Sequence, residues 1–309
     1  LSKYFPAASD RFHPAALDFC TVDGKLYALP VSVAVVPMWY NKALFRDHKL
    51  EPPATLQEFY DVCDTFKRAG ITPLALGNDQ SWPGAFYFMY LATRYGGSTA
   101  IAQHAFEDDA FISAGRILQQ LVKKKYFNPG FNGVSYDDAN QLFFNGDAPM
   151  MLMGSWLLAK VKKQKPEFLK DLGCFPFPAG NGDPGWNNIV IGGVNAGYAI
   201  SAKTAFTDDC VSLLRALTDD EGMADWATTG RIPALTRKTA APLLGNDSTD
   251  AAAILFEADK IQLYYDQLLP PALGAMHKKT CQSLFALTIT PKEAAKKMAK
   301  TAARLKAQQ

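Results

Sequence analysis

Helix-like and strand-like stretches alternate along the whole chain, and several of the helical stretches carry their own start and stop signals. Thr55 and Glu58 follow Pro52-Pro53 as a capping box, Leu56, Phe59, Tyr60, Cys63 and Phe66 recur at helical spacing, and Gly70 ends the run. Further helices are predicted from about Asp108 to Lys125, from Ser135 to Gly146, and over Thr207–Leu217 and Thr218–Thr228, the second opened by a Thr218/Glu221 box. The last begins at Thr290, with Pro291 at its first position and Glu293 in its first turn. Between them lie short apolar runs at Leu26–Pro30, Ala34–Tyr40, Thr72–Leu76, Met150–Met153, Cys174–Phe177, Ile189–Ile191 and Tyr198–Ile200. Most are followed by Gly, Pro or Asn, so they read as buried strands of a mostly parallel sheet. The fold class is α/β, with too many helices for a β-sandwich and too many strands for a helical bundle.

Charge and chemistry then narrow the function. The net charge of +2 provides no basic footprint for nucleic acid. Lys296, Lys297, Lys300, Arg304 and Lys306 read as a solvated face near a helix C-terminus. No apolar run reaches the roughly 20 residues of a membrane helix, and the opening Leu1-Ser2-Lys3-Tyr4-Phe5 has no signal-peptide pattern. The five Cys form no C-x-x-C pair, and the four His are scattered, so no metal or cofactor is expected. One or two disulfides stay open, with no pairing assignable. The chain carries no P-loop, H-E-x-x-H, G-x-S-x-G or dinucleotide fingerprint. The acidic pairs Asp108/Asp109, Asp137/Asp138, Asp208/Asp209 and Asp219/Asp220 stand at helix starts, where carboxylates satisfy free N–H groups. No catalytic residue is assigned, and the chain is read as a non-enzyme.

Aromatic residues beside turn residues are the stronger signal. Trp82 stands in Asn78-Asp79-Gln80-Ser81-Trp82-Pro83, Trp156 follows Gly154-Ser155, Trp186 precedes Asn187-Asn188, and Tyr264-Tyr265-Asp266-Gln267 forms a fourth cluster. An indole face stacks on the C–H face of a sugar ring while amides and carboxylates bond its hydroxyls. An anion would call for Arg or a helix N-terminus instead.

Four motifs, in order, carry a family resemblance. They are Gly24-Lys25-Leu26-Tyr27-Ala28-Leu29-Pro30 with Tyr40-Asn41-Lys42; Phe143-Phe144-Asn145-Gly146-Asp147-Ala148-Pro149-Met150 leading to Gly154-Ser155-Trp156; Gly192-Gly193-Val194-Asn195-Ala196-Gly197-Tyr198; and Gly230-Arg231-Ile232-Pro233-Ala234. Together they resemble the extracellular, maltose-binding-protein-like solute-binding proteins of ABC sugar importers. The resemblance implies a type II-like periplasmic-binding-protein fold with two α/β lobes, a hinge, and ligand held between the lobes. Lobe 1 is expected over 1–36 and 194–258, lobe 2 over 41–190 and 264–309, with hinge segments near 37–40, 191–193 and 259–263. Only 23 residues precede the first motif, so the N-terminal β-α-β portion of lobe 1 is expected to be missing and the chain to be a fragment.

The resemblance also implies roles. Trp156 is the expected stacking residue and Trp82 a second cleft aromatic. Gly192 and Gly193 allow close backbone approach. Tyr265 and Asp266 fall in a late segment that often faces ligand in the family, and His277 sits near another such position. Asp79 and Gln80 are expected hydroxyl partners, and Trp186 joins the candidate set from its own aromatic and amide cluster rather than from the resemblance. Family members that bind maltose carry an acid four positions after the Pro30 equivalent, where this chain has Ala34, so maltose is not implied. The expected protein is a monomeric receptor, periplasmic or lipid-anchored at the cell surface, which delivers a mono-, di- or oligosaccharide to the membrane permease. Competing readings are a same-fold receptor for a polyamine, amino acid or metal, a carbohydrate-active enzyme using an Asp/Glu pair, and an added role presenting ligand to a chemoreceptor.

Overall fold

In a computed structural model describing residues 1–246 and 249–308, local capping signals set several helix boundaries. Thr55 Oγ1 accepts from Glu58 N at 3.2 Å and the Glu58 carboxylate accepts from Thr55 N at 3.0 Å, which opens the Leu56–Arg68 helix. The same box at Thr290 and Glu293 opens Pro291–Lys306. Ser135 caps Tyr136–Phe144, and Gly146 follows that helix at φ 80°. The Thr218/Glu221 box does not form. Thr218 is the last residue of Thr207–Thr218, its hydroxyl donating to Leu214 O, and Asp219 caps Asp220–Thr228 by accepting from Gly222 N at 2.9 Å. A short carboxylate one residue later is the better cap.

The chain divides into two compact units. The first comprises Leu1–Val35, Gly154–Leu169 and Gly192–Glu257, and the second Val36–Met153, Lys170–Ile191 and Ala258–Gln309. The resemblance implies a single lobe over 41–190. Gly154–Leu169 groups with the first unit instead, where Ser155 N donates to Val35 O at 2.7 Å and Leu158 lies against Gly230.

In the first unit, strand Ala28–Val35 pairs antiparallel with Ile232–Pro233 and with the Gly192–Ala199 part of strand Ile189–Ala199, matching Val33 to Ile232 and to Val194. The expected run at Ile189–Ile191, and that at Tyr198–Ile200 up to Ala199, are parts of that single strand. In the second unit, Met38–Asn41 lies between Met150–Leu152 and Leu172–Phe175, again antiparallel to both. These pairings correct the expectation of a mostly parallel sheet. A strand buried on both faces reads as a continuous apolar run whichever way its neighbours point. Parallel geometry appears in isolated bridges, where Leu74 meets Phe127 and Met150 and Thr55 meets Ala179, so Thr72–Leu76 contributes bridges rather than a strand.

The core of the second unit is organised by the Trp82–Gly96 helix, whose residues from Pro83 to Arg94 are all buried. A helix apolar on all sides belongs inside a larger unit. It packs against Asp109–Lys123 and Pro271–Phe285, and the latter against Pro291–Lys306. Tyr87, Phe127 and Phe285 meet edge to face at centroid distances of 5.3 to 6.4 Å. All five Cys are free thiols, with Cys20, Cys63 and Cys281 buried. Among the described residues no helix is long and apolar enough to cross a membrane.

Candidate functional site

In the second unit the chain leaves the extended Leu74–Leu76 segment and turns before the Trp82–Gly96 helix. Leu76 N donates to Asn128 Oδ1 at 2.8 Å. Gly77 packs directly on the Ser135 carbonyl, so a Cβ there has no room. Asn78 N and Asp79 N donate to Phe131 O and Val134 O. Ser81 is held at φ 62°, in the left-handed region that a non-glycine residue rarely adopts. This turn exposes Asp79 and Gln80 and leaves Trp82 half-buried. The indole Nε1 of Trp82 donates to Gln80 Oε1 at 3.1 Å, and its ring lies 5.2 Å from Tyr136 and 5.6 Å from Phe86. Phe86 continues the aromatic contact to Tyr264 at 5.7 Å. Of the sequence-expected residues, Gln80 and Trp82 are joined by that bond, and Asp79 Oδ1 accepts from Gln80 N at 2.6 Å.

In the first unit, Trp156 is half-buried at the start of the Leu157–Gln164 helix. Its ring lies over Gly154, where a Cβ would collide with the indole, so that glycine is required. Ser155 is bonded to Val35, Val35 pairs with Gly192 and Ala34 with Gly193. Trp156 and the two glycines are thus tied to the same end of the Ala28–Val35 strand. Both glycines are buried.

The remaining expected residues lie elsewhere. Tyr265 is 1% exposed and His277 2% exposed, with their rings 5.2 Å apart inside the second unit. His277 also meets Phe88 at 5.6 Å and Cys281 Sγ at 3.7 Å, and burial pushes its pKa down to about 3. The cavity beside it measures about 10 Å³, room for about one water. Asp266 pairs with Lys278 at 3.4 Å. Helical spacing explains this placement, because the core face of Pro271–Phe285 includes Leu273, His277, Cys281 and Leu284. These positions correct the expectation that Tyr265 and His277 face a ligand. Trp186 is half-buried against Gly97 and Gly182.

Three features escaped the sequence reading. Arg94, 1% exposed, donates to the carbonyls of Phe177, Pro178, Trp186 and Ile189 at 2.9 to 3.2 Å. Asn132 and Gln282 bond the turn that carries Trp82. None of these partners is near in sequence, so no local pattern marks them. Two pockets also lie within single units. One of about 520 Å³ is lined by Tyr4, Phe5, Arg11 and Arg215, and one of about 370 Å³ by Thr72, Asn128, Asp138 and Asp147. Neither includes a sequence-expected residue. Among the described residues no group of three His, Cys, Asp or Glu is placed to hold a metal.

The model of the bacterial extracellular solute-binding protein family matches residues 2–224. An uncharacterised ABC transporter extracellular-binding protein of Pyrococcus horikoshii is 32% identical over 165 residues, covering 50% of this chain and 36% of that protein. A multiple sugar-binding protein of Streptococcus mutans serotype c is 27% identical over 212 residues, covering 65% of this chain and 49% of that protein. The chain thus matches less than half the length of these curated relatives. A solved structure from work on xylan utilization by the thermophilic bacterium Caldanaerobius polysaccharolyticus matches with a TM-score of 0.86 at 28% identity. That match covers 97% of this chain and 79% of the other.

Proposed function

The chain belongs to the bacterial extracellular solute-binding protein family, and from that premise we propose that it is a carbohydrate receptor of an ABC importer. Its ligand is a mono-, di- or oligosaccharide, with Trp82 and Trp156 as stacking surfaces. The observation that carries this reading is the Trp82 face. A half-buried indole stands beside exposed Asp79 and Gln80, an aromatic plane next to hydrogen-bonding groups. A neutral polyhydroxylated ring matches that chemistry on both counts. The name of the Streptococcus mutans relative supports the same substrate class.

The site residues we propose are Trp82, Asp79, Gln80, Trp156, Gly192 and Gly193. Trp186 is a peripheral candidate. Tyr265 and His277 are left to packing. Binding requires no bond to be made or broken, so the protein acts as a receptor and not an enzyme. It works as a monomer outside the cytoplasmic membrane, in the periplasm or anchored at the cell surface. Saccharide selects the conformation that docks on the permease by its higher affinity for that state.

Titration calorimetry with xylotriose, diacetylchitobiose and maltose tests the reading. Trp82→Ala and Trp156→Ala are each expected to weaken binding of the recognised sugar by about 5- to 150-fold, equivalent to about 1–3 kcal/mol. Undiminished affinity in either variant removes that tryptophan from the site.

A further inference from the structure

Three side-chain amides form a closed circuit behind the Trp82 turn. Asn78 Nδ2 donates to Asn132 Oδ1 at 2.6 Å. Asn132 Nδ2 donates to Gln282 O at 3.1 Å. Gln282 Nε2 then returns to the turn, donating to Asn78 O at 3.0 Å and Asp79 O at 3.4 Å. Asn78 itself is fully buried, and its Oδ1 accepts from Gly84 N at 2.9 Å, in the first turn of the helix that Trp82 begins. A Cβ at Gly84 would stand 2.6 Å from that Oδ1 and 2.6 Å from Phe285, so glycine there keeps the circuit closed.

We propose that Asn132 and Gln282 are positioning residues for the Trp82 binding face. The proposal rests on the carbohydrate-receptor reading for its function, although the positioning itself is testable without a sugar. Its physical basis is the conformation of the turn. Ser81 sits at φ 62°, a strained conformation for a non-glycine residue that persists only where surrounding contacts over-determine it. Within the turn, Ser81 N donates to Asn78 O and Gln80 N to Asp79 Oδ1. Gln282 donates to that same Asn78 carbonyl and reaches the next one. It therefore fixes the two peptide units from which the Ser81 kink and the Trp82 ring project. Asn132 orients the Asn78 amide, which in turn holds the helix start. Neither residue has to touch the sugar. Each acts on how narrowly the indole plane and the Asp79 and Gln80 groups are held, and a looser face loses affinity through the entropy of ordering it.

The test uses the full chain. The near-ultraviolet circular dichroism of Trp82 is isolated as the difference between the chain and Trp82→Phe. Gln282→Ala is expected to shrink that signal at least twofold and to speed hydrogen exchange of the Gln80–Trp82 amides about tenfold, with exchange in the Leu56–Arg68 helix unchanged. In the Trp82→Phe background the Gln282→Ala spectral change should disappear. Asn132→Asp keeps the acceptor for Asn78 and removes the donor to Gln282, so it provides a second variant with a smaller change of the same kind. An unaltered Trp82 signal overturns the proposal, and so does a spectral change that survives in the Trp82→Phe background. With the sugar recognised in the calorimetry, Gln282→Ala should bind about fivefold more weakly, and Trp82→Ala should abolish that difference. Trp82→Ala binding as tightly as the parent chain defeats the receptor role of this face, while the spectral arm still decides the positioning claim.

Discussion

At neutral pH the His277 ring is uncharged among Phe88, Tyr265 and Cys281, because burial and then the neighbouring Lys278 charge hold its pKa down to about 3. In the unfolded chain the same ring titrates near 6.5. The folded value is the lower one, so between those two pH values the unfolded state binds a proton that the folded state refuses. Stability from this residue is complete above the unfolded pKa and drains away as pH falls toward the folded one. Between pH 7.5 and 4.5 the chain should lose about 2–3 kcal/mol more than His277→Gln, which cannot titrate. Urea melts at the two pH values measure the difference, and equal losses would refute a buried neutral His277. This residue also marks a limit of sequence reading. A lone His four positions before a Cys on a helix has the spacing of either a core face or a ligand face, and only the packing against Phe88 and Tyr265 decides between them. The bond between Trp82 and Gln80 was legible because the two stand two positions apart in the chain. Gln282 was not, because its bond to Asn78 O spans 204 positions.

Elements whose ends are fixed by neighbours three residues apart were the readable ones. Thr55 with Glu58 and Thr290 with Glu293 are reciprocal caps, and both helices start where those pairs stand. Thr55→Ala should cost about 1 kcal/mol, the ordinary worth of such a cap. The Trp82–Gly96 helix gave no comparable signal. Its sequence is apolar around the whole circumference, so it has no amphipathic period, and its start is a turn rather than a capping box. Yet this helix carries the costlier residue. Arg94 lies 5.2 Å over the Tyr90 ring and supplies donors to four main-chain carbonyls between Phe177 and Ile189. Burial lowers its pKa to about 10, which still leaves it charged at neutral pH. Arg94→Met fills similar volume and leaves those carbonyls without donors in the core. A loss of about 3–5 kcal/mol is expected in urea melts, several times that of Thr55→Ala. Arg94→Lys should recover only part of it, since one ammonium cannot span carbonyls that a planar guanidinium reaches together. A loss under 1 kcal/mol in Arg94→Met would mean that the Phe177–Ile189 segment is held by other contacts.

At the scale of the molecule, the chain passes between its two compact units five times, at Val35/Val36, Met153/Gly154, Leu169/Lys170, Ile191/Gly192 and Glu257/Ala258. The ordered motifs along the sequence pointed to the family that the match over 2–224 shows. They did not reveal that Gly154–Leu169 belongs with Leu1–Val35, because that grouping depends on Ser155 reaching Val35 across more than a hundred intervening residues. Trp82 belongs to the second unit and Trp156 to the first, and melting of the whole chain reports a ligand's effect wherever it binds. A saccharide that binds only the native state raises apparent stability by mass action, about 2.7 kcal/mol at one hundred times its Kd. For a chain of 309 residues that corresponds to a rise of about 4 °C in Tm. A panel of xylo-, chito- and malto-oligosaccharides and monosaccharides should contain one class that produces such a saturable rise. Putrescine, glycine and zinc serve as controls and should leave Tm unchanged. The same sugar concentration should give a visibly smaller rise for Trp82→Ala and for Trp156→Ala, because each lowers the ratio of ligand to Kd and not the native fold. A shift confined to putrescine, glycine or zinc would overturn the carbohydrate assignment. A sugar shift untouched by both substitutions would keep the substrate class and move the site away from the two indoles.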